Sequence, residues 1–330
     1  MNNSLSSWST AHQEQLFATI ERAKQMDAPF AVFDADNTIW QHDITEALMV
    51  WLEHRKIIDL EDVHPLLLPI PVLDGESVYG YYDRLGHTLG HSSSYLWSAQ
   101  IFDGLSLSRI QSEMMAMMAS NEPLYALCVN DGVMIQREIP IPKIFAPQKE
   151  LITTLQDNGM QVWIVSASLE ELVRMVASNP LYGINIPAEQ VLGVNMLVEA
   201  VDGSVWASAQ HREAGLVGNA YFHEERLQGV LTHHLYAPGT WYAGKVAAIQ
   251  EWIHPIKRPM LVAGDSPNDF YMQFYANAEQ GGTRLRIHTN EAHKNKLQDE
   301  KHKRASVQNI NFDPELGWLE VSFSANCVVQ

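Results

Sequence analysis

The sequence predicts an α/β chain, with a doubly wound, mostly parallel sheet interrupted by a large, mostly helical insertion and a smaller second one. Three observations lead there. The apolar run Phe30–Phe33 ends in Asp34-Ala35-Asp36-Asn37-Thr38, as a buried parallel strand does when it delivers polar groups to the carboxyl edge of a sheet. From Pro147 onward, strand-length apolar runs alternate with amphipathic stretches of helix length. From about 57 to 145 that alternation is absent, and the insertion this implies, 41–146, is too long for a loop.

Taken in order, residues 10–26 read as an amphipathic helix with Thr10 as its cap and Leu16, Phe17, Ile20 and Met26 on one face. After the opening strand, Asp43 begins a helical pattern with apolar residues at 44, 47, 48, 51 and 52. Loops around Pro65, Pro69, Pro71 and Gly75 then separate helical stretches near 76–90 and 105–120. A helix over Gln148–Asp157 stops at Asn158-Gly159, a helix-ending pair, and a strand over Gln161–Ser166 and a helix over 169–178 follow. Residues 188–243 form the second, mixed insertion, with strands on either side of an Asp202-Gly203 turn and no simple pattern over 207–243. A helix at Gly244–Ile253, a strand at Pro259–Asp265, a helix at Asp269–Ala276 and a strand at Thr283–Ile287 complete the core. Asn290–Arg304 reads as a helix with a charged, solvated face. The expected division is therefore a core of 1–40 and 147–330 and a cap of 41–146.

Composition narrows the function. The chain has 330 residues, 46% of them hydrophobic and 18% charged, which is ordinary globular composition. Its net charge of −17 lacks the basic footprint that nucleic acid or an anionic membrane demands. It suits a small substrate, particularly one carrying a positive group. The two cysteines, Cys128 and Cys327, read as reduced residues rather than a disulfide framework. The start has no basic and apolar leader pattern, and no apolar stretch reaches the roughly 18 residues of a membrane span. A cytoplasmic chain is the expectation, or an exported one if the sequence is a mature form. Oligomeric state is not legible.

Four elements stand at strand ends or helix starts: Asp34-x-Asp36-x-Thr38, Ser166, Lys245, and Gly264-Asp265-Ser266-Pro267-Asn268-Asp269. A doubly wound sheet gathers such elements at one edge. The chemistry they support is phosphoryl transfer. A carboxylate can attack phosphorus once its repulsion with the phosphate is cancelled. Asp34 and Asp265 offer hard oxygen ligands for Mg²⁺, Ser166 and Lys245 can hold phosphate oxygens, and Asp36 can shuttle the proton.

These residues in this order resemble the haloacid dehalogenase superfamily, in its Asp-x-Asp-x-Thr phosphatase branch, with phosphoserine phosphatase-like enzymes among its members. The resemblance implies a Rossmann-like core with cap insertions and an aspartyl-phosphate intermediate. It makes Asp34 the nucleophile and Asp36 the acid/base, with the Asp36 main-chain carbonyl also a metal ligand. Thr38, Ser166 and Lys245 become phosphate-binding, and Asp265 and Asp269 complete the Mg²⁺ site. Glu46 and Tyr81-Tyr82-Asp83 further resemble the choline-recognition segments of bacterial phosphorylcholine phosphatases, with Trp40 beside them as a further pocket residue. That family carries two adjacent glutamates where this chain has Thr45-Glu46, and Tyr-Tyr-Glu where it has Tyr81-Tyr82-Asp83. The expected substrate is a small phosphorylated metabolite, phosphorylcholine or a related amino-alcohol phosphate. The alternatives are phosphoserine-like or general phosphoester hydrolysis, or a phosphate-binding protein without turnover. His87 and His91 at i, i+4 lack the intervening Glu of a zinc helix, His233-His234 reads as a loop feature, and Met114, Met115, Met117 and Met118 read as cap packing.

Overall fold

A computed structural model describes residues 5–213, 224–237, 239–306, 313–324 and 327–329. Helix α1 (Thr10–Ala23) starts on Ser9, whose hydroxyl accepts from the His12 amide, so the cap lies one residue before the expected Thr10. Strand β1 (Phe30–Phe33) is buried throughout. A short β2 (Trp40–Gln41) leads into α2 (Ile44–His54), α3 (Val78–Leu89), α4 (His91–Gln100) and α5 (Leu107–Met118). The insertion is not helical to its end. Leu124–Asn130 (β3) and Val133–Ile139 (β4) form an antiparallel hairpin, closed at Asp131-Gly132 with φ of 49° and 78°. Both turn residues are left-handed, as a two-residue hairpin turn requires, and Asp131-Gly132 between two strand-length runs that begin or end in apolar residues was the signal for it. The returning strand β5 (Lys143–Phe145) pairs with β2, so the two chain crossings into the insertion lie side by side.

The core resumes with α6 (Ala146–Asp157), β6 (Gln161–Leu169), α7 (Glu170–Ala177) and β7 (Val191–Val194). β7 joins the central sheet beside β6, so the second insertion begins after Val194 rather than at 188. β8 (Met196–Glu199), β9 (Val205–Trp206), α8 (Ser208–Glu213), α9 (Glu224–Leu227) and β10 (Val230–Leu235) build that insertion, with β10-β8-β9 as a small sheet. Within the stretch left without a pattern, 214–223 and 238 lie outside the described residues. This insertion touches the first: the Leu231 amide donates to the Leu105 carbonyl at 2.9 Å, and the Gln100 amide group donates to the His233 carbonyl at 2.8 Å.

α10 (Ala243–Ala248) continues as a short π-helical turn to Ile253, then β11 (Leu261–Gly264), α11 (Phe270–Tyr275), β12 (Thr283–Ile287), α12 (Glu291–Ser306) and β13 (Trp318–Val321) follow, with β14 (Val328–Val329) on the β5 edge. The six-stranded parallel sheet runs β13-β12-β11-β1-β6-β7, with β13 an edge strand that short apolar spacing did not reveal. Chain order reverses between β1 and β11, the crevice where such sheets bind ligands. α12 is exposed along much of its length, but Leu297 and Lys301 are buried, Lys301 pairing with Glu320 at 3.1 Å.

Candidate active site

Register brings the motif residues together. Phe33 pairs with Ala263 on one side and Ile164 on the other, so Asp34, Asp265 and Ser166 leave three adjacent strands at nearly one level. Gly264 is required here. A Cβ at that position would lie 2.5 Å from the Asp269 Cβ, so Asp269 can fold back under the turn only over glycine.

Lys245 is fully buried and its Nζ donates to Asp34 Oδ1 at 2.6 Å and to Asp269 Oδ1 at 2.7 Å. Asp269 Oδ2 accepts from the Asp265 and Ser266 amides, each at 2.9 Å. Both Asp269 oxygens are therefore engaged, and its work in this arrangement is to hold Lys245 and the Asp265 turn. Asn268 Oδ1 accepts from the Tyr242 amide at 2.6 Å, and the Thr240 hydroxyl donates to the Ser166 carbonyl, which tie the loop before α10 to the neighbouring strand ends.

One oxygen each of Asp34, Asp265 and Asp269 lies within 4.8 Å of the others. These carboxylates are buried, the nearest ammonium is shared between two of them, and the Asp265 carboxylate has the Thr289 hydroxyl at 3.3 Å. Hard oxygen donors with more negative than positive charge fit a divalent cation. Burial, followed by the Asp269 charge, pushes Asp34 up to about 7 even with Lys245 beside it. Asp265 is driven up by burial and then by Asp269 and Asp34.

Asp36 stands apart from that cluster. Its Oδ1 accepts from the Trp40 indole at 2.7 Å and the Ile44 amide at 2.8 Å, and its Oδ2 from the Ser168 hydroxyl at 2.7 Å. Burial raises it, and these three donors oppose that rise. The first amide of α2 is thus one of the groups that aim Asp36.

Above the strand ends lies a cavity of about 370 Å³, bounded by Asp34, Asp36, Ser166, Ser168 and Asp265 on the core side. The insertion supplies Asp43, Glu46, Tyr82, Asp83, His91 and Tyr95 to the same cavity, and α12 supplies His293. Asp43 caps α2 through the Thr45 and Glu46 amides, at 2.8 and 2.9 Å. Burial, then Asp36 and Asp83, push Glu46 up to about 7, and burial with Asp36 and Glu46 drives Asp43 up as well. Arg137 pairs with Asp83 at 3.2 Å. No lysine or arginine is among the described lining residues.

Comparison with known proteins follows the same lines as the geometry. The family model for haloacid dehalogenase-like hydrolases matches residues 31–226. The chain is 36% identical over 282 residues to a phosphorylcholine phosphatase of Pseudomonas aeruginosa, covering 84% of this chain and 79% of that protein. The chain belongs to the haloacid dehalogenase-like hydrolase family. Among solved structures, a protein of unknown function from Anaerococcus prevotii superposes with a TM-score of 0.57 over 94% of this chain and 92% of that one, at 16% identity, a likeness of fold alone. No described helix of the hydrolase is long and apolar enough to cross a membrane.

Three expected site residues sit elsewhere in this hydrolase. The Tyr81 hydroxyl donates to the Ile70 carbonyl at 3.0 Å and its ring packs 5.2 Å from Trp97, away from the cavity. Tyr81 and Tyr82 are successive on a helix and so point about 100° apart, and only Tyr82 faces the site. Trp40 is fully buried beneath Asp36 and is not a pocket wall. Thr38 is fully buried, its amide donates to the Ala35 carbonyl at 3.1 Å, and it holds the turn rather than lining the cavity. Ser168, Tyr95 and His293 were not anticipated. Ser168 follows Ser166 at two residues, a visible strand-end pair. Tyr95 and His293 had no local signal, since their place depends on how α4 and α12 dock.

Proposed function

We propose that this phosphomonoesterase hydrolyses a small amino-alcohol phosphate, phosphorylcholine or a close relative, with Mg²⁺ at Asp34 and Asp265. The observation that carries the reading is the acidic end of the cavity. Asp43, Glu46 and Asp83 line the cavity together with Tyr82, Arg137 reaches only Asp83, and no lysine or arginine is among the described lining residues. Carboxylates crowded there repel one another, and an ammonium group entering among them relieves that repulsion while stacking on an aromatic face. A phosphoserine carboxylate entering the same end would meet like charge, which argues against that alternative. Thr45, where the resembling family carries a second glutamate, leaves Glu46 and Asp43 as the principal acids.

In this reading an oxygen of Asp34 attacks phosphorus and the ester P–O bond breaks. Asp36 delivers a proton to the leaving alcohol. Water then yields its proton to Asp36 and attacks phosphorus, releasing inorganic phosphate and free Asp34. The Asp36 carboxylate is aimed for both proton transfers by Trp40, Ser168 and the Ile44 amide. Lys245 orients Asp34, and Ser166 faces the phosphoryl oxygens. Asp34 and Asp265, with the main-chain carbonyl of Asp36, would hold Mg²⁺, whose charge cancels repulsion between the nucleophile and the phosphate.

The test is kcat/KM for phosphorylcholine, phosphoethanolamine, phosphoserine and glycerol phosphate with Mg²⁺ and with chelator. An advantage of at least tenfold for the two amino-alcohol esters over glycerol phosphate is expected. Equal values for all four would refute the amine pocket, and turnover unchanged in Asp34→Asn would refute the mechanism.

A further inference from the structure

A phosphate dianion in this cavity meets no lysine or arginine among the described lining residues. The Lys245 ammonium already gives two of its three protons to Asp34 and Asp269, and Ser166 offers one hydroxyl. Tyr95 offers a further donor from the insertion side. It stands on α4, outside every motif segment, and lines the cavity with Asp34 and Ser166. α4 packs against β6, the strand that carries Ser166 and Ser168. The Tyr95 ring lies 6.2 Å from that of Trp241 and 6.4 Å from that of Tyr242, the residues that lead into α10 and Lys245. The phenol is thereby held over the phosphate-facing strand ends and beside the loop that delivers the lysine. Among the described residues its hydroxyl has no hydrogen-bond partner, so its proton is free to be donated. Burial, then the facing Tyr242, Asp43, Asp269 and Asp34, push the phenol upward and keep it a donor at neutral pH.

We propose that Tyr95 is a substrate-binding residue whose hydroxyl donates a hydrogen bond to the phosphoryl group seated at Asp34, clamping it from the insertion. The proposal rests on phosphomonoester hydrolysis at Asp34 and is independent of the amine preference. In Tyr95→Phe, the inhibition constant of inorganic phosphate rises about tenfold and kcat/KM falls about tenfold, for p-nitrophenyl phosphate and phosphoethanolamine alike. Wild-type protein titrated with phosphate shows a tyrosine ultraviolet difference signal that Tyr95→Phe lacks. An unchanged phosphate inhibition constant overturns the proposal, as does a loss confined to the amine ester, which would assign the hydroxyl to the ammonium end. Absence of any phosphate-induced tyrosine signal in the wild type overturns it without a variant. If wild-type protein hydrolyses neither ester, the phosphomonoesterase reading itself fails, a result distinct from all of these.

Discussion

Lys245→Met tests the electrostatic design of the site most directly. The ammonium is fully buried between Asp34 and Asp269, at 2.6 and 2.7 Å, and methionine keeps its length while removing the charge. Removing one partner of a buried ion pair costs about 3–5 kcal/mol, because the remaining charge stays buried and unpaired. Here Asp269 keeps its amide donors from Asp265 and Ser266, so most of the cost falls on Asp34. For a chain of this size that corresponds to a fall in unfolding midpoint of roughly 4–7 °C. The cost must depend on pH. Asp34, pushed up to about 7 with the lysine present, rises further without it and escapes by binding a proton. The destabilisation is therefore largest at pH 8.5 and shrinks toward pH 5. Denaturant unfolding in chelator, followed by tryptophan fluorescence at both pH values, measures it. Lys245→Met with Asp269→Asn should recover part of the loss. A cost under about 1 kcal/mol at pH 8.5, or one that does not change with pH, would show that the lysine does not hold these carboxylates as described.

Three further outcomes are expected. Trp40→Phe removes one of three donors to Asp36, so kcat falls about tenfold for amine and neutral esters alike while KM for each stays put. A loss restricted to amine esters would return Trp40 to the pocket wall. Gly264→Ala places a Cβ 2.5 Å from that of Asp269, and turnover of p-nitrophenyl phosphate should drop by more than about a hundredfold as the Lys245 linkage is displaced. Wild-type turnover in that variant would mean the turn can yield. In metal-free protein, Asp34 and Glu46 at about 7 hold protons that the unfolded chain, with values of 3.8 and 4.5, has already released. The native state then binds more protons, so this contribution makes stability fall as pH rises from about 4 to about 7. Mg²⁺ should raise the midpoint more at pH 8 than at pH 5, and calorimetry that finds the opposite order would refute a site built from ionised Asp34 and Asp265.

The core elements were legible because each is written in a local pattern. Phe30–Phe33 is apolar on both faces and stops at Asp34, and Gln148–Asp157 ends at Asn158-Gly159. β3 and β4 are of a different kind, since the Asp131-Gly132 turn carried a readable signal while the apolar run Leu124–Val129 has no strand period to set it apart from the surrounding helices. β13 was harder to find, because an edge strand of four residues buries too little to leave a period. In the insertion, the sequence placed Tyr81, Tyr82 and Asp83 together, yet a helix spreads consecutive side chains around its axis. Its docking turned Tyr82 and Asp83 to the cavity and Tyr81 to Ile70 and Trp97.

By itself the sequence determined the chemistry: two carboxylates at one strand end, a hydroxyl at the next, a lysine opening a helix, and a Gly-Asp turn after a third strand. These are features of residues close together in the chain, and their meaning survives without coordinates. Tertiary structure alone decided how the groups divide the work. It set Trp40 beneath Asp36, closed both oxygens of Asp269 onto Lys245 and its own turn, and carried Tyr95 and His293 to the cavity from helices distant in sequence. No periodicity encodes those contacts, because they depend on which faces of the insertion and of α12 can be buried against the sheet edge at the same time.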